Sequence, residues 1–173
     1  MYIPALNLSV LCIPKCGTHT ITEAFESKFG KCYLPGHVKA VEHRNRYPHA
    51  PVLAFIRDPW ERFISQINYG WGDVQHKMDL DAALTAFFRD AGKKEPPHLT
   101  TTQAHWIDKR TELCLFSNLE AKLRDLGCET VGVLNKGPGR WSLNDLRDTG
   151  RMDEIEAFLK PDLLPWSAAE WLT

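Results

Sequence analysis

The length of 173 residues suits one domain, 1–173, with a single hydrophobic core. A hydrophobic fraction of 43% with 25% charged residues is ordinary for a globular protein, and the net charge of −1 argues against a broad nucleic-acid-binding surface. No apolar run is long enough for a membrane span and the first residues do not resemble a signal peptide, so we expect a cytoplasmic protein.

The first predicted element is a buried strand over residues 8–13, followed by a turn and a helix. The run L-S-V-L-C-I is typical of a strand covered on both faces, and the helix after it ends at Gly30. A helix that begins in the glycine-containing turn P-K-C-G-T-H-T presents unpaired N–H groups and the positive end of its dipole. This junction therefore predicts a phosphate site, to which Lys15 adds a cation and Thr18 and Thr20 add hydroxyl donors.

The five cysteines show no C-x-x-C pair. Cys16 lies in the turn, where a neighbouring cation and a helix N-terminus are expected to lower its thiol pKa, so a nucleophilic or redox role stays open. A zinc site made of Cys12, Cys16 and Cys32 together with His19 is a weaker alternative, because the spacing matches no standard pattern. No metal is expected.

A second buried strand is predicted over residues 51–56, and it also leads into a helix. The string R-D-P-W-E-R-F-I-S follows, in which Asp58 is a good N-cap and the next proline suits a first helical turn. Arg57 remains at the strand end beside the new helix N-terminus, which predicts a second anion site. The alternative is that Arg57 and Arg62 form surface ion pairs with Asp58 and Glu61.

The rest of the chain continues an α/β pattern. A helix capped by Asp79 is predicted to end at Gly92, and the loop after it contains two prolines. Strands are predicted near 8–13, 32–34, 51–56, 112–116 and 131–134. Alternation of strands with crossover helices predicts a three-layer α/β sandwich around a mainly parallel sheet of about four or five strands.

Two strings resemble the nucleotide-binding motifs of sulfotransferases, which use PAPS (3′-phosphoadenosine 5′-phosphosulfate). P-K-C-G-T-H-T resembles the 5′-phosphosulfate loop, and R-D-P-W-E-R-F-I-S resembles the 3′-phosphate motif of the carbohydrate-type branch, in the family's order. F-S-N-L-E is similar to the F-E-N-L-E segment of bacterial members, with Ser117 in place of the acid. The resemblance implies a P-loop-like strand–turn–helix, PAPS as donor, adenosine 3′,5′-bisphosphate as product, no metal, and an acceptor hydroxyl on a carbohydrate.

The resemblance also implies which residues hold the donor. For the 5′-phosphosulfate these are Pro14, Lys15, Cys16, Gly17, Thr18, His19 and Thr20, and for the 3′-phosphate Arg57, Arg62 and Ser65. His19 fills a variable position of its loop. Helical spacing places Arg62 and Ser65 away from the middle of the apolar stripe of their helix. Lys136 and Arg140, in the glycine-rich loop after the last predicted strand, are weaker candidates, and a plain surface turn is the alternative there.

Two side chains are expected to act in catalysis. Lys15 suits the leaving phosphate, and a histidine near the position of His37 acts on the acceptor in similar enzymes. His43 and His105 are reserves for that second role. The loop over residues 93–102 either contributes to the acceptor mouth or only connects two elements.

Two other functions remain open. A P-loop kinase or NTPase would require G-x-x-x-x-G-K-[ST], which is absent because the lysine precedes the glycine. A non-catalytic nucleotide-binding module without an acceptor site is compatible with a chain that is short for the family.

Overall fold

The computed structural model describes residues 1–33, 36–70, 78–129 and 139–170. Within these ranges it has the strands β1 (Tyr2–Ile3), β2 (Leu8–Leu11), β3 (Val52–Ile56) and β4 (Glu112–Leu115). Its helices are α1 (Thr18–Phe29), α2 (Ala40–Arg46), α3 (Pro59–Gly70), α4 (Leu80–Ala91), α5 (Leu119–Asp125), α6 (Leu143–Arg147) and α7 (Met152–Glu170). The chain is therefore an α/β protein, as predicted.

The sheet is mostly parallel, with the order β1-β2-β3-β4. β2 and β3 are parallel, as are β3 and β4, whereas β1 runs antiparallel to β2. The predictions of strands at 8–13, 51–56 and 112–116 are confirmed with tighter bounds. Near 32–34 only Tyr33 pairs, in a single bridge to Tyr2, and Leu34 lies outside the described residues. The predicted strand 131–134 also lies outside them.

Both central strands are buried along their whole length, because helices cover the two faces of the sheet. On one face, Val10 and Phe55 pack against Phe25 of α1. On the other face, Ile56 packs in a cluster with Ala40 of α2. This arrangement is compatible with the predicted three-layer sandwich. A separate cluster joins α3, α4, α6 and α7 beside the sheet.

Local capping explains where several helices begin. The Asp58 carboxylate accepts the N–H of Glu61 at 2.9 Å before α3, and Asp79 accepts the N–H of Ala82 at 2.8 Å before α4. Each such cap stabilises its helix by about 1 kcal/mol. α1 differs, because its N-cap is Gly17 and no side chain caps it. Gly17 therefore offers no side-chain acceptor to the first N–H groups of this helix.

None of the helices in the described ranges combines the length and apolar character needed to cross a lipid bilayer.

His43, one of the two reserve candidates for the acceptor base, is buried. It lies on α2, is 2% exposed, and its Nε2 is 3.4 Å from the amino nitrogen of Met1. Burial, followed by the positive charges of the Met1 amino group and of Arg46, lowers the His43 pKa to about 4. A buried side chain of this kind is a poor candidate for the acceptor base.

We expect the buried His43 to make the protein less stable in mild acid. The unfolded chain takes up a proton near pH 6.5, whereas folded His43 stays neutral down to about pH 4. The free energy of unfolding should therefore fall as pH drops through this interval, by up to about 3 kcal/mol in all. Urea unfolding at several pH values between 7 and 5 measures the slope. His43→Gln should flatten it, whereas the exposed control His49→Gln should not; an equal slope in both variants would contradict the assignment.

Candidate functional site

The two strand-to-helix junctions lie side by side. β2 and β3 are hydrogen-bonded parallel neighbours, so the segments after their carboxyl ends occur at the same edge of the sheet. Lys15 belongs to the segment after β2, and Arg57 directly follows β3. The strand pairing therefore brings the two strand ends together at one edge of the sheet.

The turn after β2 is shaped by two residues in the left-handed region. Lys15 has a φ of 66° and Gly17 a φ of 77°. The carbonyl of Ile13 accepts the N–H of Cys16 and the hydroxyl of Thr18, each at 3.2 Å. The Cys16 N–H is therefore already engaged, which corrects its assignment to the leaving phosphate and leaves the first N–H groups of α1 as the main-chain donors there.

Phe116 contacts both junctions. A Cβ atom at Gly17 would lie 2.4 Å from the Phe116 ring, so any residue larger than glycine at this position would collide with that ring. The same ring lies 5.6 Å from the guanidinium carbon of Arg57, which suits a cation–π contact. Phe116 opens the F-S-N-L-E string, and its place against the turn explains why glycine is needed there.

Lys15 is a half-buried cation without a carboxylate partner in the described part of the chain. Its Nζ lies 3.9 Å from the ring centroid of Tyr69, at the end of α3. Burial, followed by the charge of Arg57, lowers the pKa of Lys15. The Lys15 and Arg57 cations therefore repel each other across this site, and a bound anion would relieve the repulsion.

Arg57 does have a carboxylate partner. This confirms the part of the alternative prediction in which Arg57 forms a surface ion pair. Its Nε lies 3.1 Å from Oε2 of Glu61, whose side chain is 63% exposed. Among the described contacts this pair engages only Nε. The two Nη groups remain as donors for an anion, in the fork geometry that suits phosphate.

Gln103 ties the two junctions together. It is buried, and its Oε1 accepts the N–H of Arg57 at 2.8 Å and the thiol of Cys16 at 3.2 Å. Its Nε2 donates to the Arg57 carbonyl at 2.8 Å. The separation of the two candidate anion sites therefore depends on one side chain. The sequence carries no signal for it, because a single glutamine in a loop forms no pattern.

Arg62 requires a correction, because helical spacing predicted it to lie away from the buried face. It is 1% exposed; Nε donates to the Pro14 carbonyl at 2.9 Å and Nη1 to the Thr101 carbonyl at 3.0 Å. Nη1 also lies 3.8 Å from a carboxylate oxygen of Asp162 on α7. With its donors directed at the protein interior, Arg62 supports the turn at Pro14 instead of facing a ligand.

Cys16 also differs from expectation. Its side chain is 1% exposed, and burial raises the pKa of the thiol, although the nearby Arg62 charge acts in the opposite direction. The expected lowering of this pKa is wrong, because desolvation of the thiolate outweighs the neighbouring cations. Nothing in this arrangement supports a nucleophilic cysteine. The described residues also contain no group of three or more His, Cys, Asp or Glu side chains placed to hold a metal.

The other residues predicted to bind the sulfate donor differ in how far they are buried. Thr20 is buried in the first turn of α1, His19 is exposed beside it, and Ser65 is half-buried on α3. Arg140 is exposed, with its guanidinium carbon 4.9 Å from the ring centroid of Trp141. Lys136 lies outside the described residues.

Asn68 attaches the late segment to α3. Its amide donates to the Trp141 carbonyl at 2.8 Å and accepts the Trp141 N–H at 2.9 Å. Because Asn68 precedes Tyr69, this bidentate contact brings the segment with Arg140 to the end of the helix that contacts Lys15. The sequence did not reveal this attachment.

His37 lies at the carboxyl end of β2, beside Cys12. Its Nδ1 hydrogen-bonds with the carbonyl of Cys12, and its ring stacks on His98 with centroids 4.6 Å apart. Burial and the nearby His37 lower the pKa of His98. His105 is exposed, and its ring meets the edge of Trp106. The loop that carries His98 therefore helps to hold His37 in place.

His37 also lines a cavity of about 560 Å³ beside α1. The cavity lies between the helix and the segment at Gly36, and its lining includes Thr18 from the turn after β2.

Comparison of the chain with protein-family models, with curated proteins and with solved structures found no match.

Proposed function

We propose that this protein is a sulfotransferase that transfers the sulfuryl group of PAPS to an acceptor hydroxyl, with a carbohydrate as the favoured acceptor. The observation that carries the proposal is the pairing of two cationic junctions at neighbouring strand ends. Gln103 joins the two junctions through hydrogen bonds with Cys16 and Arg57, and Lys15 lacks a carboxylate partner among the described residues.

Two separate anion sites suit a donor with two separate phosphate groups. The 5′-phosphosulfate would lie at Lys15 and the N-terminus of α1, where no side chain caps the helix. The 3′-phosphate would lie at the Nη groups of Arg57, with the half-buried Ser65 of α3 as a hydroxyl donor. A ligand with one phosphate group would use only half of this arrangement.

In the proposed reaction the acceptor oxygen attacks sulfur as the bond from sulfur to the 5′-phosphate oxygen breaks. The products are the sulfate ester and adenosine 3′,5′-bisphosphate, and the hydroxyl proton passes to a base. Lys15 neutralises the charge that develops on the leaving phosphate oxygen. Stabilisation of developing charge by a positioned cation is the main contribution a protein makes to a transfer of this type.

His37 is the proposed base. A carbonyl oxygen only accepts hydrogen bonds, so the contact with Cys12 requires the proton of the neutral ring to be on Nδ1. Nε2 is then left unprotonated and able to accept the hydroxyl proton. The His98 ring stacks on the His37 ring with centroids 4.6 Å apart and helps to fix the orientation of the base.

Calorimetry with adenosine 3′,5′-bisphosphate tests the proposal. We expect a dissociation constant in the micromolar range, and Arg57→Ala should weaken binding by about tenfold or more because it removes the fork of donors. Arg110→Ala is the matched control, since Arg110 is also an exposed arginine but lies away from both junctions. Glu61→Gln should tighten binding, because the Glu61 carboxylate competes with the 3′-phosphate for Arg57.

ADP is the comparison ligand in the same experiment. It lacks the 3′-phosphate, so its binding should be weaker and insensitive to Arg57→Ala. Equal binding of ADP and the bisphosphate would contradict the proposal, and Mg²⁺-dependent ATP binding would favour a kinase or NTPase. Bisphosphate binding without a sulfated product from a library of sugars, phenols and amines would favour a non-catalytic module.

A further inference from the structure

The cavity beside His37 lies on the side of β2 that faces away from Arg57. β3, which leads into Arg57, flanks β2 on one side, and β1 flanks it on the other. The segment before His37 is joined to β1 by the bridge between Tyr33 and Tyr2. The volume of the cavity, about 560 Å³, falls within the range of about 300–1,000 Å³ that small-molecule sites occupy.

The geometry of an in-line transfer determines from which direction the acceptor must approach. The new bond to sulfur forms opposite the bond that breaks, so the acceptor and the leaving phosphate must approach the sulfur from opposite directions. With the nucleotide extending from Lys15 towards Arg57, the cavity that borders the same turn is left for the acceptor. The same cavity is lined by Thr18, which belongs to the turn that carries Lys15.

The charge of the cavity lining is uneven. Glu23 and Glu26, one turn apart on α1, both line it, and within the described ranges neither carboxylate forms an ion pair. The other titratable side chains of the lining are His19, His37 and Cys12. Burial raises the pKa of the Cys12 thiol, which keeps it neutral. Among the described residues, no lysine or arginine lines the cavity to offset the two carboxylates.

We infer that this cavity is the acceptor site and that it selects an uncharged or amino-bearing polyhydroxylated acceptor over one that carries carboxylates or sulfates. This inference rests on the proposed function. The carboxylates of Glu23 and Glu26 accept hydrogen bonds from hydroxyl groups and attract an ammonium group, whereas they repel an anionic sugar. The cationic donor site thus favours the nucleotide and the acidic cavity favours the acceptor, so each substrate binds on its own side of Lys15.

Ligand-observed NMR with three tetrasaccharides measures this preference without requiring turnover. The probes are an N-acetylglucosamine tetramer, a glucosamine tetramer and a hyaluronan tetramer, which are respectively neutral, amino-bearing and carboxylate-bearing. They are titrated at low salt into the protein, both free and loaded with adenosine 3′,5′-bisphosphate. The neutral and amino tetramers should bind at least about tenfold more tightly than hyaluronan.

The combined substitution Glu23→Gln and Glu26→Gln should reduce that ratio to about threefold or less, because it removes the repulsive charges and keeps the shape of the side chains. The affinity for the bisphosphate should remain within about twofold, since neither residue belongs to the donor site. Glu156→Gln, an exposed glutamate on α7, is the matched control and should keep the full ratio.

Three results would overturn the inference: hyaluronan binding as tightly as the other tetramers, none of the three binding, or an unchanged ratio in the double variant. These outcomes differ from failure of the proposed function. In that case the protein would not bind the bisphosphate, while tetrasaccharide binding to the free protein would still report on the cavity.

Discussion

Replacing Lys15 with glycine is expected to abolish sulfuryl transfer without destabilising the fold. In the proposed reaction Lys15 supplies the cation at the leaving phosphate, and loss of one such group typically slows a reaction by about a hundredfold or more. The same residue adopts a φ of 66°, a conformation that disfavours side chains with a Cβ by about 1 kcal/mol and that glycine adopts freely. The lost contact with Tyr69 partly offsets this relief.

Lys15→Ala is the matched control, because it removes the same amino group but keeps the unfavourable backbone conformation. Both variants should lose release of the bisphosphate from PAPS in the presence of a mixture of sugar acceptors. In urea unfolding the glycine variant should be the more stable of the two, by about 0.5–1 kcal/mol. Full transfer activity in either variant would contradict the role of Lys15, and equal stabilities would contradict a strained turn.

Replacing Arg62 with methionine is expected to cause a large loss of stability. Arg62 and Asp162 form a buried pair, and Arg62 is also the donor for the carbonyls of Pro14 and Thr101. Breaking a buried pair leaves an uncompensated charge and typically costs about 3–5 kcal/mol. Burial already raises the pKa of the Asp162 carboxyl, so the variant should take up a proton there and lose less stability in mild acid.

The surface pair of Arg89 and Asp90 provides the control. The Arg89 side chain is 71% exposed, and exposed pairs contribute about 0–1 kcal/mol, so Arg89→Met should change the urea midpoint little. Adding Asp162→Asn to Arg62→Met should recover part of the lost stability, because the amide carries no charge and keeps an oxygen for the Ala104 N–H. Equal effects of Arg62→Met and Arg89→Met would refute the structural role assigned to Arg62. Bisphosphate affinity should fall with Arg62→Met as well, since Pro14 leads into Lys15.

Several features of this protein could be predicted from the sequence because local patterns encode them. The continuous apolar runs of β2 and β3 indicated strands covered on both faces, and Asp58 and Asp79 were recognisable as helix caps. The position of Lys15 after one strand and of Arg57 after the next followed from the same patterns. Each of these features depends on residues that lie close together in the sequence.

The tertiary structure alone decided which side chains support those positions. Gln103, the buried state of Arg62 and the contact of Phe116 with Gly17 all depend on residues far apart in the chain. Helical spacing places a residue on one face of its helix, but whether that face is buried depends on what packs against it. For Arg62 the covering elements are the segment at Thr101 and α7, which follow it by many residues, so no local pattern could have predicted its burial.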